Sequence, residues 1–102
     1  MKYKVSYQST LYHDLEEIKT YLETLSSDAA DRIVEELTHQ IDDLEFFSRR
    51  YPIYNPKNGL RRMVVNNYNI FYRILEDEGL VKVYHAFHHA RDTLDLKHEI
   101  NM

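Results

Sequence analysis

At 102 residues the chain has room for one hydrophobic core and no more. It contains no cysteine, which excludes disulfides and thiolate metal sites, and its first residues, MKYKVSYQS, hold no apolar run long enough for a signal peptide or membrane span. With 13 Lys/Arg against 17 Asp/Glu, net −4, it lacks the basic surplus that supplies most of a nucleic-acid binder's affinity, so composition points to a protein partner and a cytoplasmic location.

Taken in order, Tyr3–Tyr7 alternates in polarity and reads as a short strand that joins a later sheet as its fourth member. Ser9 or Thr10 then offers a capping oxygen to a helix, and Leu11, Leu15, Ile18, Leu22 and Leu25 recur at helical spacing, predicting a helix over 11–25. Ser26-Ser27-Asp28 ends it and caps a second helix over 28–47, whose stripe is Ala30, Ile33, Val34, Leu37, Ile41 and Leu44. Two amphipathic helices with so short a connection form an antiparallel hairpin. All 11 acids of residues 1–60 fall between Asp14 and Glu45, so this hairpin is acid-rich on its outer side. SRRYPIYNPKNG, residues 48–59, is a loop, with Tyr51 and Tyr54 as the residues that pin it down.

The next stretch, LRRMVVNNYNIFYRILEDEGLVKVYHAFHHARD, carries three apolar β-rich runs divided by Asn66-Asn67 and by Glu76-Asp77-Glu78-Gly79. Asn and Gly tolerate the positive φ of tight hairpins, so the runs predict strands over Arg61–Val65, Tyr68–Leu75 and Leu80–His88. The architecture is α+β, in the order β-α-α-β-β-β: a helical hairpin packed on one face of a four-stranded antiparallel-meander sheet. The whole chain is one domain, and the tail at 93–102 has no clear period and reads as a helical turn or a flexible segment.

Strict alternation sorts the candidate residues. It puts Val81, Val83, His85 and Phe87 on one face of the last strand, and Lys82, Tyr84, Ala86 and His88 on the other. His85 then reads as a hydrogen-bonded core histidine, while His88 stands with Arg73 and Tyr84 on a polar face. His85 and His88 on opposite faces, with no carboxylate at ligand spacing, leave no metal site, and no cofactor motif occurs. Arg61, Arg62, Arg73 and Arg91 can grip phosphate or carboxylate in bidentate fashion, although solvated charge is the plainer reading of each. Tyr12 and Tyr21 flank the first helical stripe, where amphipathic rings serve a core rim or a protein interface.

The segments GLRRMVVNNYNIFYRI (Gly59–Ile74) and FHHARD (Phe87–Asp92) resemble the RelE/ParE superfamily, the toxin halves of bacterial type II toxin–antitoxin pairs, and the order of the preceding elements fits it too. The resemblance implies a helical hairpin on an antiparallel sheet and a cognate antitoxin that wraps and blocks the toxin. It also implies one of two targets. ParE-like members bind DNA gyrase with no established catalytic residues; RelE-like members cut messenger RNA in the ribosome with a loose set of Arg, Lys, His, Glu and Tyr. In the second case His88, Arg73, Arg62 and Tyr84 are the catalytic candidates. Partner contacts are expected from Arg61, Arg62, Arg73, His89, Arg91, Tyr12 and Tyr21. Asn69 stands where the ribonucleases usually keep an Arg, which removes a cation that could stabilise phosphate charge. Together with the net acidity this favours gyrase; the histidine cluster favours RNA. A degenerate member kept only for antitoxin binding is the third reading.

Overall fold

A computed structural model of the chain describes residues 2–89. The elements run β1 (Lys4–Tyr7), α1 (Ser9–Glu23), α2 (Ser27–Asp42), a single turn α3 (Leu44–Phe47), β2 (Ile53–Asn55), β3 (Leu60–Val65), β4 (Tyr68–Leu75) and β5 (Leu80–His88). They form one five-stranded sheet in the order β1-β5-β4-β3-β2 with the helices on one face, the α+β arrangement that the hydrophobic periods predict. Two features differ from that expectation. The loop over residues 48–59 contributes a fifth strand, β2, paired to β3 through Ile53↔Arg61. And β1 lies parallel to β5, in the register Lys4↔Leu80 to Tyr7↔Val83, so the sheet is mixed instead of wholly antiparallel. The parallel pairing follows from the helical hairpin, which carries the chain from β1 to the opposite edge before the meander returns.

Local chemistry sets most boundaries. Ser26 caps α2, its Oγ accepting from the Ala29 amide at 3.2 Å. The chain breaks at Asp43, so α2 stops at Asp42 and does not run through to residue 47. Helix α1 starts at Ser9, and its N-cap, Gln8, makes no side-chain capping bond. Thr10, expected as a cap, instead donates its hydroxyl to the Tyr84 carbonyl at 2.6 Å. Leu25, counted in the apolar stripe, lies beyond the helix and is 68 % exposed. Asn66 and Asn67 both take positive φ, 48° and 69°, as a two-residue hairpin turn demands.

The main core fills the space between helices and sheet. Leu11, Leu15, Ile18 and Leu22 of α1 and Ala30, Leu37 and Ile41 of α2 meet Met63, Ile70, Tyr72, Val81 and Val83. Each such aliphatic side chain contributes ~1.5–3 kcal/mol when taken from water. Tyr72 is fully buried and donates its hydroxyl at 2.6 Å to the Ser48 carbonyl, which ties the loop after α3 to the middle of the sheet. A second, smaller cluster of Leu60, Phe71 and Phe87, with Tyr54 and Tyr84 against it, lies on the face away from the helices. Among the described residues no helix is long and apolar enough to cross a membrane.

Candidate functional site on the open sheet face

The face away from the helices is built by β3, β4 and β5 and covered at one side by β2. In β4, period two puts Asn69, Phe71 and Arg73 outward, and the ladder sets Arg62 opposite Phe71 and Lys82 opposite Arg73. In β5 the period fails. Tyr72 pairs with Val83 but Phe71 pairs with His85, so Tyr84 is an extra residue, a β-bulge. A bulge shifts every later side chain to the opposite face. Ala86 therefore enters the main core, while His85 and Phe87 join Tyr84 on the open face.

This exchanges the two histidines. His88, expected beside Arg73 and Tyr84, lies on the helix side: it pairs with Tyr68 of the core, their rings 5.3 Å apart edge-to-face. There it lines a cavity of about 360 Å³ with Asp14, Glu17, Ile18 and Tyr21. His85, expected in the core, sits on the open face, its ring stacked on Phe87 at 4.8 Å. Its Nδ1 meets the Asp14 carboxylate of α1 at 2.7 Å, and both side chains are largely buried, at 13 % and 9 % exposure.

The two arginines of the open face are held on aromatic rings. The Arg62 guanidinium lies 5.3 Å over Tyr54, and that of Arg73 lies 5.7 Å over Tyr84. Arg73 also donates from Nε to the Tyr84 hydroxyl at 3.2 Å and from a terminal nitrogen to the Asn58 carbonyl at 3.5 Å. Beneath them Phe71 is sealed, packed edge-on by Tyr54 at 5.1 Å and flanked by Phe87 at 6.3 Å. The outward positions of β3–β5, namely 60, 62, 64, 69, 71, 73, 75, 80, 82, 84, 85 and 87, carry Arg62, Arg73, Lys82 and no acid. The structure thus sets a small basic face against an acid-rich helical layer.

The other expected residues scatter. Arg61 pairs opposite the core residue Tyr72, not on the open face, and donates at 2.6 Å to the Tyr51 carbonyl. His89 follows β5, its amide donating to the Asn67 carbonyl at 2.6 Å and its Nδ1 3.4 Å from the side-chain oxygen of the buried Asn69. Tyr12 and Tyr21 are well exposed on α1, and Tyr21 forms the ridge between the cavity near His88 and a shallow hollow bounded by Glu16, Glu17 and Thr24. Arg91 and the tail at 93–102 lie outside the described residues. Among those described, no group of three or more His, Asp or Glu side chains is placed to hold a metal ion.

Sequence reasoning missed Asp14 and His85 as a pair, although one signal was there. Asp14 falls within the 11-15-18-22 stripe of α1, and an acid at a buried helical position requires a partner.

Several solved structures share this arrangement. The chromosomal ParDE system from P. aeruginosa matches with a TM-score of 0.74 at 14 % identity, over 85 % of this chain and 96 % of that one. The RelBE2 toxin–antitoxin complex from Mycobacterium tuberculosis matches with a TM-score of 0.68 at 20 % identity, over 89 % and 95 %. The isolated E. coli RelE toxin matches with a TM-score of 0.56 at 11 % identity, over 94 % of each chain. At such identities the likeness shows the fold alone. No curated protein matches the sequence. A family model does: that of the ParE toxin of the type II toxin–antitoxin system parDE, over residues 5–93, and the chain belongs to that family.

Proposed function

We propose that this ParE-family toxin acts by binding DNA gyrase through its open sheet face, and that a cognate antitoxin neutralises it in the cytoplasm. The observation that carries the reading is the bulge at Tyr84. It turns His88 to the helix side, away from Arg73 and Tyr84, so the four candidates His88, Arg73, Arg62 and Tyr84 do not share one face. Asn69 in place of a cation supports the same reading, because it leaves one fewer positive group for phosphate. So does the state of the aromatic rings. Phe71 and Phe87 are buried and Tyr54 and Tyr84 each have an arginine over the ring, so no well-exposed phenyl or phenol ring is offered to an unstacked base.

The antitoxin is expected on the acid-rich helical side, where Tyr21 and the cavity beside it offer an apolar anchor point. One observation favours the second reading, a ribosome-dependent messenger-RNA endoribonuclease: the Asp14–His85 pair is a histidine oriented by a carboxylate on the same face as Arg73. A supercoiling assay with purified gyrase, run beside a messenger-RNA cleavage assay in a translating extract, decides between them. Inhibited supercoiling with intact RNA is expected. Codon-aligned cleavage with unimpaired gyrase would reverse the assignment, and expression that is harmless without an antitoxin would mark the chain as degenerate.

A further inference from the structure

We infer that Asp14 is a positioning residue for the open face, and that His85, which it orients, is the acceptor by which that face recognises a hydrogen-bond donor of its protein target. The inference rests on the proposed use of this face. It begins at the outer edge of β5. Strand β1 pairs with β5 only as far as Tyr7↔Val83, and beyond that the start of α1 takes over the strand's work. The Gln8 amide donates to the Val83 carbonyl at 3.0 Å, the Thr10 hydroxyl to the Tyr84 carbonyl at 2.6 Å, and the Asp14 carboxylate accepts the Ala86 amide at 3.1 Å. The helix thereby grips both sides of the bulge that brings His85 outward.

The same Asp14 oxygen that accepts from Ala86 also meets His85 Nδ1. A carboxylate can only accept, so Nδ1 carries the proton and the lone pair of the neutral ring is on Nε2. Stacking on Phe87, at an interplanar angle of 23°, fixes the plane of the ring. Nε2 has no hydrogen-bond partner among the described residues. No buried side-chain nitrogen or oxygen there is left unpaired, so Nε2 must reach solvent. An acceptor held in place on the face that also carries Arg62 and Arg73 fits a polypeptide segment that offers carboxylates to the arginines and an N–H or O–H to the histidine. RNA fits less well, since the face offers its bases no well-exposed phenyl or phenol ring to stack on.

The test uses the full chain and purified gyrase. Ring ¹⁵N shifts of His85, read at the neutral end of its titration, should show the proton on Nδ1. In Asp14→Ala no carboxylate holds the proton on Nδ1, and it should populate Nε2 as well. His85→Asn retains a donor for Asp14 in place of Nδ1 but has nothing in place of Nε2. Both variants should bind gyrase roughly three- to tenfold more weakly, the loss expected for one hydrogen bond. His85→Gln, which can still present an outward amide oxygen, should recover part of it. A wild-type ring protonated on Nε2, or full affinity in a folded His85→Asn, would overturn the inference while leaving gyrase binding in place. Absence of gyrase binding by the wild type would overturn the proposed target itself. RNA cleavage that His85→Asn abolishes would overturn both, making His85 a proton-transfer group.

Discussion

Replacing Arg73 by glutamine separates what its guanidinium does for the fold from what it does for a target. Within the molecule Arg73 makes one good hydrogen bond, to the Tyr84 hydroxyl at 3.2 Å; the 3.5 Å approach to the Asn58 carbonyl is too long to add much. The bond contributes about 1 kcal/mol and the contact with the Tyr84 ring about 0.5–1 kcal/mol at a half-buried site. A loss of about 2 kcal/mol lowers the melting temperature of a domain this size by ~10 °C and leaves it folded at 25 °C. Against a carboxylate of a bound target, the lost charge-assisted bond is worth ~1.5–3 kcal/mol, a ten- to hundredfold rise in the concentration that half-inhibits supercoiling. Arg73→Lys, which keeps the charge but not the planar fork, should fall between. His88→Ala, on the helix side, should leave inhibition within about twofold, because surface-side changes away from a contact rarely exceed ~0.5 kcal/mol. Full inhibition by Arg73→Gln, or inhibition lost in His88→Ala, would refute the reasoning.

Three further outcomes follow from the packing. Burial raises the Tyr72 phenol above its ordinary value, with the charge of Arg61 opposing. The unfolded chain therefore releases this proton first, and stability, full below about pH 10, falls by ~1.4 kcal/mol per pH unit as the solution is made more alkaline. Urea melts of Tyr72→Phe should lack that share of the slope, and should show a cost of ~1–3 kcal/mol near neutrality from the unpaired Ser48 carbonyl. Asn67→Ala, forced to φ 69°, should destabilise by ~1–2 kcal/mol, whereas Asn67→Gly should be neutral or better in the same melts. Tyr21→Ala should weaken capture of the antitoxin by about tenfold or more without moving the melting temperature, since the ring is 62 % exposed; unchanged capture would remove the helical side as the antitoxin's seat.

Much of the fold was legible because its determinants are local. The stripe Leu11, Leu15, Ile18, Leu22 is written in four spacings, the turn at Asn66-Asn67 in two residue types, and the start of α2 in the serine that caps it. What escaped depends on distant groups. Nothing within β5 announces that Tyr84 is bulged. Thr10 and Asp14, more than 70 positions earlier, take the backbone groups on either side of it, and only then does the alternation reverse. A one-residue slip of phase was enough to exchange His85 with His88, which is why the sequence puts Arg73 and Tyr84 on one face correctly but sets the wrong histidine beside them. Strand β2 was hidden for a related reason. Its three residues sit between two prolines, and it exists only because β3 offers it an edge.

On the proposed use of the open face, the parallel pairing of β1 with β5 also bears on when, during folding, this molecule can engage its target. Lys4 lies opposite Leu80, so the first strand finds its neighbour only after nearly all of the chain has been gathered, and closing so large a loop must precede any gain from the contact. The bulge, the reversed alternation and the outward histidine all wait on the same event, because α1 reaches the far part of β5 only once β1 has docked beside it. A nascent chain can build its helices and the β3-β4-β5 meander early, from contacts close in sequence, and still lack the Asp14 contact that holds His85. The edge of the open face at His85 is completed only with this long-range contact.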